Sequence, residues 1–205
     1  MKEGIPRKTV YRLSLYDRVL RRLRTNGIET VSSEALAKAA GVKSPQVRRD
    51  LAYFGQFGTR GVGYGVEGLV RSVGEVLGTA SLQPVILVGV GQLGSALLGY
   101  QGFARQGFEV VAGFDIDPTR PRVRELLVKV YGMDDLKQVI DEKGVKLAIL
   151  AVPGHVAQEV VNVLVNLGVQ GVLNFSAAVL QVPDSVMVNN VDLAAELESL
   201  SYFIH

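Results

Sequence analysis

Cysteine is absent from the 205 residues, and histidine occurs only twice, as His155 and His205. The first absence excludes disulfides, thiolate metal sites and any thiol-based redox switch. The second leaves little room for histidine chemistry. His205 is the last residue, and His155 reads as a surface histidine in a helix-start loop beside Pro153, with no adjoining carboxylate to orient its ring. Long apolar runs are missing too. Pro84 to Val90 and Leu147 to Pro153 fall far short of the roughly 18 residues a membrane span needs, and no apolar stretch follows Met1 to Pro6. A cytoplasmic protein without a membrane partner is the expectation. Hydrophobic residues at 48% and charged residues at 20% are ordinary for a chain that buries a core.

The net charge of +2 conceals a division. Residues 1–60 carry 13 Lys/Arg against 5 Asp/Glu, whereas the remainder carries 9 against 15. Such a split points to a polyanionic partner for the basic part. Three helical patterns fill that part. Tyr16, Val19, Leu20 and Leu23 share one face, with Arg18, Arg21, Arg22 and Arg24 beside them, and Asn26-Gly27 ends the run. Ser32-Ser33-Glu34 opens a short second helix with Leu36, Ala39 and Ala40 inward, closed by Gly41. A third begins with Ser44 as N-cap and Pro45 at its first position. Val47, Leu51 and Phe54 point inward there, leaving Gln46, Arg48, Arg49, Ala52 and Tyr53 outside.

A short helix, a tight Gly-containing turn and a second helix with Gln and Arg outward form a helix-turn-helix pattern. Its second helix fits the major groove of double-stranded DNA, where Arg pairs with guanine and Gln with adenine. The spacing leaves open which of Gln46, Arg48 and Arg49 touch bases and which touch phosphates. Lys43, Ser44 and Tyr53 flank the same surface. Beyond the helix, Gly55 to Gly65 interleaves glycines with Phe57, Val62 and Tyr64 around Thr59-Arg60-Gly61. This composition suits a β-wing whose Arg60 reaches a minor groove, more than a featureless linker.

The acidic part reads as alternating strands and helices. Val85 to Val88 is a wholly apolar strand, followed by Gly89-Val90-Gly91-Gln92-Leu93-Gly94 and a helix from Ser95. The glycines serve a tight turn, approach of a pyrophosphate, and close helix–strand packing, and the helix N-terminus faces the phosphates. A second strand, Glu109 to Phe114, ends in Asp115, which suits hydrogen bonding to an adenosine ribose and favours NAD over NADP. Arg120 and Arg122 lie close enough in sequence to weaken that preference, since Arg accommodates a 2′-phosphate. Further strands are expected around Val128 to Val130, Leu147 to Val152, Val169 to Leu173 and Val186 to Val188. Helices are expected from Asp134 and over Val156 to Leu167. Strand ends line the crevice of such sheets, so Ile116, Ala151, Val152, Pro153, Asn174, Phe175 and Ser176 join the candidate NAD(H) contacts. A terminal helix carries Leu193, Leu197, Leu200 and Ile204 on one stripe.

A small NAD-dependent oxidoreductase is the rival reading. The nucleotide-binding part and terminal helix use all of residues 83–205, leaving no substrate domain, and no Tyr is followed four residues later by Lys as in short-chain dehydrogenases. A DNA-binding protein whose Rossmann domain takes another nucleotide or a CoA-like ligand is a third reading, against which Asp115 argues. The segments Ser44 to Tyr64, Gly89 to Ala96, Phe114 to Pro118, Leu173 to Phe175 and Asn190-Val191-Asp192 together resemble Rex, the bacterial redox-sensing transcriptional repressor family. The resemblance implies an α/β chain that is not an enzyme, with a winged helix-turn-helix domain over 1–80, a Rossmann-type doubly wound domain over 81–188, and a dimerisation helix over 189–205. It further implies a homodimer with exchanged C-terminal helices, an inverted-repeat operator, release from DNA by NADH, and competition by NAD⁺. Arg18, Tyr100 and Asp192 match family positions of the switch, the latter two beside the cofactor. Leu193 stands where some members place a Phe against the nicotinamide, keeping apolar burial without ring stacking.

Overall fold

The computed structural model describes residues 5–59, 62–120 and 126–204. The chain divides into two compact units at Ser81/Leu82.

In the first unit, α1 (Arg7–Thr25) buries Thr9, Leu13, Tyr16, Asp17 and Leu20 along one stripe. The second helix, α2 (Ser33–Ala40), starts where the Ser32 hydroxyl accepts the Ala35 N–H at 3.1 Å and ends at left-handed Gly41. Its inward residues are Leu36 and Ala37; Ala39, expected inside, is exposed, because a helix this short presents only one turn to α1. The third, α3 (Ser44–Ala52), begins one residue earlier than the sequence suggests: Lys43 takes the cap position and Ser44 makes no cap bond. The Ser44 hydroxyl instead reaches α2, 3.1 Å from Ser33 Oγ and 3.3 Å from Glu34 Oε1. Val47 and Leu51 are buried and Phe54 half-buried.

The wing is made differently from a local hairpin. Strand β2 (Tyr64–Gly65) pairs antiparallel with β1 (Thr30–Val31), a two-residue strand too short to show any alternation in sequence. A bridge between Thr59 and Gly63 closes the turn; Arg60 and Gly61 lie outside the described residues. Helix α4 (Val66–Leu77) follows, to which the sequence reading assigned nothing. Its Val66, Leu69, Val70 and Val73 fall at i, i+3, i+4 and i+7 and pack with α1, but Gly68 and Gly74 lower its helix propensity and disguise the period.

The second unit is a six-stranded parallel sheet. Its strands are β3 (Gln83–Val88), β4 (Phe108–Phe114), β5 (Val130–Tyr131), β6 (Leu147–Leu150), β7 (Gly171–Asn174) and β8 (Met187–Asn190), in spatial order β5-β4-β3-β6-β7-β8. Several expected strands shift by two or three residues, and β5 retains only two. Between strands run α5 (Gln92–Leu98), α6 (Gly102–Arg105), a 3₁₀ turn (Met133–Asp135) leading into α7 (Leu136–Lys143), and α8 (Gly154–Asn166). Successive β3 residues serve opposite faces. Ile86 and Val88 pack with Leu136, Ile140, Ala157 and Val161, while Val85 and Leu87 pack with Val90 and Leu98. Double coverage is why β3 is apolar throughout. The order reverses between β3 and β6, and in doubly wound sheets that reversal opens a crevice at the strand C-termini. The last helix, α9 (Leu193–Ile204), has no buried residue.

Candidate functional site

The crevice is assembled by backbone bonds across the strand ends. Gly89 N–H donates to Phe114 O, Ala151 N–H to Val88 O, Phe175 N–H to Leu150 O and Val191 N–H to Asn174 O, each at 2.8 Å. These bonds bring together the candidate residues after β3, β4, β6, β7 and β8. Gly89 adopts φ +95°, and a Cβ there would meet Ala151 O at 2.5 Å. A Cβ on Gly94 would collide with Gly89 O, whereas one on Gly91 would meet nothing. Gly94 thus seats α5 on the turn, and Gly91 faces open space.

Asp115 is buried at the end of β4, and its Oδ2 accepts the Val90 N–H at 2.8 Å. Its Oδ1 accepts the Asp117 N–H at 3.0 Å, with Arg120 Nη2 at 3.8 Å. Arg120 also faces Asp117 at 3.4 Å. The Asp117 carboxyl is held below the usual carboxylate range by the Thr119 hydroxyl and N–H, with Arg120 adding to the effect. Arg120, which spacing alone made a rival to Asp115, is thus turned toward two carboxylates; Arg122 lies outside the described residues. Gln92, Leu93, Ile116 and Pro153 are exposed at the rim, with Ala151 and Val152 half-buried.

Asn174 is fully buried, and both ends of its amide are hydrogen-bonded within the protein. Its Nδ2 donates to Ala178 O and Asn190 Oδ1, both at 2.9 Å, while its Oδ1 accepts the Ser176 hydroxyl at 2.6 Å and N–H at 3.0 Å. Ser176 is buried in the same cluster, so these two side chains hold β7, β8 and the following loop together. Tyr100 is exposed, its ring lying over Gly102 and edge-on to Phe103 at 5.1 Å. Asp192 caps α9, Oδ1 accepting the Ala194 and Ala195 N–H groups at 3.0 Å. Leu193 is exposed beside it, and His155 lies exposed within the first turn of α8 rather than in a loop. Arg18 is exposed on α1.

In the first unit, the outer face of α3 is less free than its sequence suggests. Gln46 Nε2 donates to Asp50 Oδ1 at 2.8 Å. Arg48 Nη1 donates to Ser44 Oγ at 2.7 Å and Ser33 Oγ at 2.9 Å, tying α3 to the start of α2. Lys43, Arg49, Tyr53 and Thr59 are exposed. Sequence reasoning missed Asp50, which is completely buried and binds Arg12, Tyr16, Thr9 and Gln46. The signal was a lone carboxylate on the stripe Val47-Asp50-Leu51-Phe54. Burial pushes its pKa up, but the hydrogen bonds from Arg12, Tyr16 and Gln46 prevail and hold it below the usual range. Burial and the bond to Asp50 raise the Tyr16 phenol far above its ordinary value.

Known proteins share both parts. Residues 4–52 match the family described as putative DNA-binding protein N-terminus, and residues 81–178 match the CoA binding domain family. The redox-sensing transcriptional repressor Rex of Carboxydothermus hydrogenoformans is 47% identical over 200 residues, covering 98% of this chain and 96% of that protein. Its counterpart from Pelotomaculum thermopropionicum is 46% identical over 198 residues, covering 97% and 93%.

The chain belongs to the Rex family.

Its members are redox-sensing transcriptional repressors, not enzymes, so the oxidoreductase alternative falls. Solved Rex-family structures agree in fold. RSP in complex with β-NAD⁺ and operator DNA superimposes with a TM-score of 0.87 at 33% identity, covering 99% of this chain and 94% of that one. RSP in complex with β-NADH gives 0.83 at 32%, covering 99% and 95%. The winged helix-turn-helix unit followed by a Rossmann-type unit is the Rex architecture.

Proposed function

We propose that this Rex-family chain represses transcription as a homodimer that binds an inverted-repeat operator through its head and leaves it when NADH occupies the second unit. The observation that carries the reading is a conjunction in one chain: an exposed cationic α3 surface, and a glycine-turn crevice with a buried carboxylate one strand away. A head over 1–80, a cofactor domain over 81–188 and a dimerisation helix over 189–205 perform separable tasks. A repressor works where the chromosome lies, in the cytoplasm, and no described helix is long and apolar enough to cross a membrane.

The residues present fit a dinucleotide. Open space at Gly91 admits a pyrophosphate against the backbone, and the Gln92 and Leu93 N–H groups have no acceptor among the described residues. Asp115, fixed by Val90 N–H, presents negative charge toward the ribose side and repels a 2′-phosphate. Bound NAD(H) supplies a nicotinamide ring that is cationic when oxidised and neutral when reduced. Ala151 to Pro153, Phe175 and the partner-facing Asp192 and Leu193 read that difference, with Tyr100 and Arg18 exchanging polar partners as the subunits move. In the head, Lys43, Ser44, Arg48, Arg49 and Tyr53 meet the major groove and its phosphates, and Thr59, Arg60 and Gly61 meet the minor groove.

A gel-shift titration on an inverted-repeat duplex tests the reading. NADH is expected to dissociate the complex, and NAD⁺ to leave it intact and raise the NADH needed. Binding indifferent to NADH would overturn it.

A further inference from the structure

On the reading that α3 enters the major groove, we propose that Asp50 is the positioning residue that fixes this helix against α1, and that Gln46 belongs to that latch rather than to the base-reading surface. Asp50 is 0% exposed on the inward stripe of α3. Its Oδ2 accepts Arg12 Nε at 2.6 Å and the Tyr16 hydroxyl at 2.8 Å. Its Oδ1 accepts Arg12 Nη2 at 2.7 Å, Gln46 Nε2 at 2.8 Å and the Thr9 hydroxyl at 3.3 Å. Arg12 Nη2 also donates to Thr9 Oγ1 at 3.2 Å, so the donors are themselves cross-linked.

Three of the four partners, Thr9, Arg12 and Tyr16, lie along a single stripe of α1. The two-pronged Arg fork sets direction as well as distance, so the contact fixes the axial position and rotation of α3 together. The apolar side chains packed in the same core, Leu13 and Leu20 with Val47 and Leu51, carry no such directional preference. A buried charge stripped of its partners is costly enough that this network holds as a unit.

Gln46 sits one turn before Asp50 on the same helix. A glutamine reads adenine by presenting amide nitrogen and oxygen together to the base edge. Here the nitrogen is committed inward, to the same oxygen that Arg12 grips. Arg49, Lys43 and Tyr53 have their heads exposed and remain for the DNA.

The experiment uses the full-length protein and a randomised duplex library. Wild-type, Gln46→Ala, Asp50→Asn, Arg12→Lys and Arg12→Lys/Asp50→Asn proteins each select from it, and affinities for the wild-type choice and for an unrelated duplex follow by fluorescence anisotropy. Gln46→Ala is expected to select the same sequence at every base pair, binding it several-fold more weakly. Asp50→Asn is expected to lose about ten-fold or more for the selected sequence while its grip on unrelated duplex at low salt changes little. Arg12→Lys, which keeps charge without the fork, moves the same way, and the double variant loses no more than the worse single one. NADH affinity stays at the wild-type value in all of them, a readout that global unfolding would move.

Relaxed preference at one operator base pair in Gln46→Ala would make Gln46 a base reader and overturn the proposal. So would an unchanged ratio of selected to unrelated binding in Arg12→Lys, a variant that decides the matter even where Asp50→Asn fails to fold. If the wild-type protein enriches no sequence at all, it is the operator-binding reading itself that fails.

Discussion

At the residue scale, Asp50 couples head stability to pH in a definite direction. Its pKa lies below that of an unfolded aspartate, about 4, so its contribution is complete above that value and disappears as pH falls through the depressed one. Asp50→Asn is expected to cost about 3 kcal/mol near neutrality by breaking a buried pair. The melting gap between the two proteins should narrow as pH is lowered below about 4; a gap that widened on acidification would deny Asp50 this role. The glycines give a second contrast. Gly91→Ala adds a methyl to open space at an ordinary backbone angle, so its melting temperature should match wild type while NADH binding drops about ten-fold or more. Gly94→Ala drives a methyl into Gly89 O and should lower both. Equal melting losses in the two variants would contradict the division of labour. Only the pattern of glycines is visible in sequence. Which of them faces a ligand and which faces the protein depends on where Gly89 O and Ala151 O lie.

At the scale of elements, α9 is a three-turn helix that the described residues leave uncovered. Leu197 is 67% exposed and Leu200 62%, on a helix of which no residue is buried. An apolar stripe of this length left in water marks a surface for a partner, and the proposed homodimer would supply one. Leu197→Glu with Leu200→Glu is therefore expected to shift the protein from dimer to monomer in sedimentation while the second unit melts within a few degrees of wild type. A dimer of undiminished stability would place the interface elsewhere. The terminal helix was legible from its leucine spacing. Helix α4 was not, because glycines interrupt a stripe that only α1 makes necessary. Strand β1 escaped notice for a different reason: two residues carry no period, and its partner β2 lies over thirty residues away.

For the whole molecule, the charge division predicts how binding responds to salt. The basic surplus within residues 1–60 makes operator affinity fall steeply as salt rises, through release of counterions from DNA. Arg49, exposed on α3, is expected to contribute about one unit of the slope of log affinity against log salt, and Arg49→Ala to remove it. NADH affinity, belonging to the acidic unit, should hardly change over the same range. If NADH releases DNA by a given factor, operator DNA must weaken NADH binding by that factor. Calorimetric titration of NADH with and without saturating operator measures it, and identical affinities would leave the two units uncoupled.

The sequence alone determined the order of the parts, their opposite charges, the doubly covered strand, the glycine turn and the acidic residue after β4. Each of these is written in local spacing or composition, because a period of 3.6, an apolar run or a glycine at a turn is a property of neighbours in the chain. Tertiary structure decided which side chains are free to act. Gln46 and Asn174 look like contact residues in isolation, yet the amide nitrogen of each is taken up within the fold, by buried Asp50 one turn on and by Ala178 O and Asn190 Oδ1. Asp50 itself looked inert until Arg12 and Tyr16 were brought across from α1. A polar group's role is set by whatever saturates its hydrogen bonds, and for these residues the saturating groups arrive only when the chain folds.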